Sequence, residues 1–237
     1  MIEGTAVGPC FRNIVCLAGP STYVMIDSVV KKLCKVVAVG RPSMAEVRRE
    51  EIVDAVQRCI VQFGLAETTM AKVAAEAGMQ RSAISHFLGN RDAVISAAVE
   101  RSCDYYIELL ESIGAEYEPA DVPLAIVTDV IGRHRADSAA MVLFDEVLTL
   151  AHHDDYAKAE VKRAYDALER RLLEGLAARY PESSTKERAT VAHALLLLID
   201  NAERFRVLGL AQTTKSDRRT INAAKTLLAS LEPTAVS

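Results

Sequence analysis

From position 45 onward, apolar residues recur at the three- and four-residue steps that put side chains on one face of an α-helix. Ile52, Val56, Ile60 and Phe63 follow one another at steps of four, four and three, marking the buried stripe of a first helix that Gly64 ends. Thr68 and Thr69 offer side-chain oxygens to cap the next helix. Further on, Gly89-Asn90 makes a turn, and Asn90 caps a long helix through Val94, Ala98, Tyr105 and Leu109 to about Ile113. Pro119 and Pro123 interrupt the chain. The pattern then predicts helices over 122–134, 137–152, 154–180, 185–209 and 217–231, separated by short polar turns such as Tyr180-Pro181-Glu182-Ser183. Residues 1–43 lack any sustained helical period, and the pattern predicts a poorly ordered extension there. The stretch MAEVRREE from Met44 reads as a protein start, which makes 1–43 a candidate mis-assigned upstream region.

Between the first and the long helix lies a segment with a stricter pattern. Two short helices that cross closely need small residues where they touch, a turn residue that tolerates positive φ, and apolar side chains beneath both. Residues 70–89 meet these needs in order. Val73 and Ala77 face inward, Ala74 is small at the contact, Gly78 sits in the turn and Met79 anchors it. Ile84 and Phe87 form the inward pair of the second helix. The expected unit is a helix-turn-helix carried on a three-helix domain, and an isolated Ala-rich helical hairpin is the plain alternative.

Residues 46–101 resemble the N-terminal DNA-binding domain of the tetracycline-repressor (TetR) family. The Phe63-Gly64 helix end, Thr68-Thr69, Val73-Ala74-x-x-Ala77-Gly78-Met79 and Asn90-Arg91-Asp92 carry the resemblance. Three positions depart from it: Gln80 stands where the family commonly has Ser, Ser85 where it has an aromatic, and Leu88 where it has Phe. Position 85 therefore offers no tyrosine hydroxyl to a phosphate. The resemblance implies an all-α protein with the helix-turn-helix domain at 44–101 and a helical effector-binding and dimerisation domain at 102–237. It also implies a transcriptional regulator, a ligand-responsive repressor acting as a homodimer on a double-stranded DNA operator, with an unknown small molecule as effector.

In such domains the second helix of the motif enters the major groove. Its outward face offers Gln80, Arg81, Ser82, Ser85 and His86. Arg81 can read guanine through a bidentate pair and Gln80 adenine, each worth roughly 1–3 kcal/mol of discrimination. Thr69 and Arg91 are expected on phosphates at either side of the groove. Arg48 and Arg49 either hold the DNA backbone or enter the minor groove, or form an ordinary charged first turn. His86 is either a phosphate donor or a packing residue.

In the C-terminal half, Val191, Leu195, Leu198, Ala202 and Phe205 form one stripe, and Leu196, Leu197 and Ile199 extend it most of the way round the helix. Ile221, Ala224, Leu228 and Leu231 form a second stripe. By resemblance these two final helices meet their copies, so Leu195, Leu198, Ala202, Phe205, Ile221, Ala224, Leu228 and Leu231 are the expected dimer residues. The middle helices would enclose the effector, with Tyr106, His134, Phe144, Leu148, His152 and Tyr165 as candidates. His152-His153-Asp154-Asp155 invites a metal reading, but adjacent helical residues point about 100° apart and the run falls at a turn, so no metal or cofactor is expected.

Charge alters one part of this picture. The net charge of −4 is uneven: residues 1–40 carry four basic and two acidic residues, 41–101 eight of each, and 102–237 sixteen basic against twenty-two acidic. The acidity lies outside the presumed reading domain, whose bases can still share a face. No apolar stretch reaches the ~18 residues of a membrane span. The five cysteines show no zinc-ligand spacing, and a reducing cytoplasm, beside the nucleoid, is the expected compartment. G-x-S-x-G, Gly-rich phosphate loop and H-E-x-x-H motifs are missing, so no enzymatic activity is expected. A helical interaction module that has lost sequence-specific DNA binding is the alternative function.

Overall fold

The computed structural model describes residues 43–136, 138–210 and 214–232, apart from the side chains at 132–136, 138, 203, 206, 207 and 214. The expectation of a poorly ordered extension over 1–43 thus falls, but for Ser43, outside the described residues. Regular structure among the described residues is entirely helical: α1 Met44–Phe63, α2 Met70–Glu76, α3 Arg81–Phe87, α4 Arg91–Glu116, α5 Val122–Ala136, α6 Ser138–Leu150, α7 Asp155–Arg179, α8 Thr185–Val207 and α9 Thr214–Ala229. These bounds lie close to the predicted ones, and the local reason is capping. Asn90 accepts from the Ala93 N–H at 2.9 Å and Asp154 from the Ala157 N–H at 2.8 Å, each satisfying one orphan donor of a helix start. At the start of α1, Ser43 and Glu46 exchange side-chain-to-backbone hydrogen bonds, a reciprocal cap. Asp154 is thereby spent on a cap, and His152 and His153 stand exposed in the turn before it.

Residues from Val47 onward form one compact unit. The long α4 lies along α7, α7 packs on α8, and α9 closes over α8 and α5. Two apolar clusters result. One joins α4, α5, α7, α8 and α9 around Ile113, Ile126, Leu172, Leu176 and Leu195. The other joins α1–α4 around Ile52, Val56, Ile60, Val73, Ile84 and Val94, and it also takes in Leu143, Val147, Ala157 and Ala164 from α6 and α7. The presumed boundary at 101/102 falls inside α4, an unbroken helix shared by both clusters.

One residue of the predicted α1 stripe is not buried. Ile52, Val56 and Ile60 are in the core, but Phe63 is 41% exposed, because it ends the helix beyond the last layer of packing. Its ring lies under Lys72, whose Nζ stands 4.5 Å from the ring centroid. Cys59 and Cys103 are buried thiols, and burial pushes Cys103 up to about 12.

Candidate nucleic-acid interface and effector cavity

The reading surface is built by the turn between α2 and α3. The Thr69 hydroxyl accepts from the Lys72 N–H at 3.3 Å and starts α2. At the other end, Met79 N–H donates to Ala74 C=O at 3.0 Å and Gly78 N–H to Ala75 C=O at 3.3 Å. This pair of bonds defines a Schellman ending, and it requires a left-handed residue at Gly78, whose φ is +63°. Met79 then packs against the same cluster as Val73 and Ala74, which fixes the direction in which α3 leaves. Ile84 is fully buried beneath α3 and Phe87 is packed beside it. As a result Gln80, Arg81, Ser82, Ser85 and His86 all face outward. Arg81 has no hydrogen-bond or ion-pair partner among the described residues, so its guanidinium is available. His86 is exposed and its ring meets Phe87 edge-on at 5.1 Å.

The flanking cations divide. Arg49 is exposed and unpartnered among the described residues, whereas Arg48 pairs with Glu51 at 2.6 Å. Arg91, expected on a phosphate, reaches back to the protein's own backbone. Its Nε donates to Thr68 C=O at 3.1 Å and its second guanidinium nitrogen to Leu65 C=O at 3.0 Å. The start of α4 therefore braces the 64–69 loop from below, and the Arg91 charge is partly committed there. The same loop is held from a third side: Glu146 of α6 accepts from the Leu65 N–H at 2.8 Å. Thr68, buried, donates its hydroxyl to Gly64 C=O at 2.8 Å. Arg101 of α4 further ties α1 down through Glu50 and Asp54. Glu146 and Arg101 were not legible beforehand, since their partners lie far away in sequence.

Residues 52–98 match the family described as bacterial regulatory proteins, tetR family, a span that contains the whole of this helix-turn-helix. The matched span makes this part of the chain a reading domain of tetR type. The BetI HTH-type transcriptional regulator of Burkholderia ambifaria is 28% identical over 160 residues, covering 66% of this chain and 80% of that protein. That of Cronobacter sakazakii is 27% identical over 164 residues, covering 66% and 78%. Among solved structures, a TetR transcription regulator from Haloarcula marismortui superposes with a TM-score of 0.67 at 15% identity, covering 77% of this chain and 97% of that one. A transcriptional regulator from Rhodococcus sp. Rha1 gives 0.63 at 19% identity, covering 77% and 96%. The protein is thus a DNA-binding transcriptional regulator of all-α fold.

Beyond the reading domain, the chain holds a partly open, largely apolar cavity of about 60 Å³ between α4, α5, α6, α7 and α8. Tyr106, Phe144 and Tyr165 line it together, with Leu109, Leu110, Leu196 and Asp200 among the other walls. The Tyr106 and Phe144 ring centroids are 4.4 Å apart and those of Phe144 and Tyr165 6.3 Å. Leu148 and His152 line an adjoining open cleft instead, with Asp145, Tyr165 and Arg204. Phe144 and Leu148 lie one turn apart on the same face of α6 and line these two adjoining spaces. The His134 side chain lies outside the described residues.

The two final helices correct the expected dimer surface. Leu195, Ala224, Leu228 and Leu231 are buried in the chain's own core, so they cannot also form the surface of a partner contact. Leu198, Ala202 and Ile221 are half-buried. The apolar groups left outward are Phe205, 50% exposed, and Leu197, 47% exposed, followed by Leu208 and Leu210 beyond the end of α8. No helix among the described residues is long and apolar enough to cross a membrane.

Proposed function

We propose that this protein is a ligand-responsive repressor, a homodimer that holds an operator through α3 of each protomer and releases it when a small molecule fills the cavity. The observation that carries the reading is a three-residue span of α6. Phe144 forms a wall of the cavity, and Glu146 caps the loop on which Thr69 and the start of α2 depend. Helical residues two apart move as one body, so a ligand that shifts Phe144 shifts the seat of the helix-turn-helix. The effector needs only a preference for the DNA-incompetent arrangement, and a typical coupling of about 1–3 kcal/mol lowers operator affinity roughly 5- to 150-fold.

Arg81 and Gln80 supply base contacts, Ser82, Ser85 and His86 line the same face, and Thr69, Arg49 and Arg48 serve the backbone. Arg91 acts mainly by bracing the loop. One such face is small, and two half-sites about one helical turn apart supply the affinity that one lacks. Leu197 and Phe205 are the outward apolar groups that favour pairing of two copies. The protein works in the compartment of the chromosome, the cytoplasm.

Selection of bound fragments from genomic DNA, followed by titration at several salt concentrations, tests the DNA half of the reading. A steep linear fall of log affinity with log salt is expected. A salt-independent association would support a protein-interaction module instead. A ligand screen read out by displacement of the selected fragment tests the effector half.

A further inference from the structure

We infer that the cleft between α1, α4 and α6 is a ligand site separate from the cavity, for an uncharged molecule whose apolar body carries a head that both donates and accepts hydrogen bonds, as a primary amide does. The cleft has a volume of about 410 Å³, within the ~300–1,000 Å³ of small-molecule sites, and none of the residues that line it lines the cavity. Two polar groups of its walls are unmet among the described residues. Ser102 of α4 is 3% exposed, and its hydroxyl has no hydrogen-bond partner there. Gln57 of α1 is half-buried, and its amide has none either. Buried polar side chains nearly always have a partner, so an unmet hydroxyl on the wall of an open space points to an occupant of that space. A water molecule, at about 30 Å³, answers the hydroxyl but leaves most of the cleft unused. The rest of it has apolar walls, Val61, Ala140 and Leu143 among them.

The charged groups around the cleft answer one another. Arg101 pairs with Asp54 and Glu50, and Arg58 pairs with Glu76 at 2.6 Å. Both cations and the carboxylate among the described lining residues are thus compensated within the protein. An anion would have to draw a guanidinium away from its carboxylate, and a cation would have to draw Asp54 away from Arg101. Either move leaves a charge without its partner. An uncharged ligand disturbs neither pair. A serine hydroxyl and a glutamine amide can each donate and accept, so a head with both functions is the chemistry that satisfies them. The cleft and the cavity lie on two sides of the same helices: Tyr105 and Leu143 line the first, and their neighbours Tyr106 and Phe144 line the second. Adjacent helical residues point about 100° apart, so a change at Phe144 alters one space and spares the other.

Three compounds of one shape and different charge test this on the full-length protein by fluorine NMR titration: para-fluorobenzamide, para-fluorobenzoate and para-fluorobenzamidine. The amide is expected to bind at least about fivefold tighter than either ion, since each ion must part an existing pair. Ser102→Ala removes the unmet hydroxyl. It should weaken the amide roughly two- to tenfold, the scale of one hydrogen bond, without lowering the melting temperature. Gln57→Leu should weaken amide binding as well, and Phe144→Leu should leave it unchanged. No binding of the amide, binding of either ion as tight as the amide's, or wild-type amide binding in Ser102→Ala would overturn the inference. So would a lower melting temperature in Ser102→Ala, which would show the hydroxyl to be bonded inside the protein, or loss of amide binding in Phe144→Leu, which would put the ligand in the cavity.

Discussion

Arg81 and Arg91 are ten residues apart and of the same type, yet their surroundings differ. Arg81 leaves the first turn of α3 without a partner among the described residues, while Arg91 reaches back to two carbonyls of the 64–69 loop. The difference was not readable from composition, since both stand at helix starts. Capping residues were readable, because a cap acts over three positions: Thr69 and Asn90 each do what the local pattern predicts. Glu146 lies at the other extreme, bonded to a backbone N–H 81 positions away. Removing it with Glu146→Ala should leave the fold intact at a loss of about 1 kcal/mol, the net worth of one hydrogen bond. The corresponding check is amide exchange at Leu65, expected to speed up severalfold; protection equal to wild type would show that the carboxylate does not hold the loop.

At the scale of elements, two glycines illustrate different constraints. Gly78 has open space around its missing Cβ but a φ of +63°, so Gly78→Ala meets a backbone penalty of roughly 1–2 kcal/mol and misdirects α3. Gly175 is an ordinary helical residue, but a Cβ there would stand 2.6 Å from Pro123 Cδ and 2.9 Å from Pro119 C=O. Gly175→Ala should therefore force α7 away from α5, destabilising the protein by about 1–3 kcal/mol with DNA discrimination unchanged. Urea unfolding of both variants, beside their affinity for DNA, distinguishes the two: loss of stability without loss of reading for position 175, and loss of both for position 78. The role of Gly78 was legible because a turn demand is local. That of Gly175 was not, because the pressure on it comes from a neighbouring helix. The stripe on α8 shows the same limit. Periodicity identified Leu195, Leu198, Ala202 and Phe205 as one face, but a buried face reads alike whether it meets its own chain or a copy.

For the whole molecule, the important feature is that the cluster beneath the reading helices includes Leu143, Val147, Ala157 and Ala164 from later helices. A division of the chain at 101/102 suits the sequence pattern but not the packing, and this continuity is what would let a cavity wall act on α2 and α3. Pairing of two copies belongs to the same scale. Leu197→Asp with Phe205→Asp places charges on the outward apolar groups and leaves Leu195, Ala224 and Leu228 undisturbed. Sedimentation should then show a monomer with wild-type helicity and weakened operator binding; an intact dimer would move the contact elsewhere.

Operator recognition, as proposed, turns on α3 reading bases through Arg81. The direct measurement is the ratio of affinities for a selected genomic fragment and for random duplex, compared between wild type and Arg81→Ala at one salt concentration. Loss of a bidentate base contact predicts a fall in that ratio of about 10- to 100-fold, corresponding to roughly 1–3 kcal/mol, with affinity for random duplex nearly preserved. Equal losses on both duplexes, leaving the ratio unchanged, would contradict it.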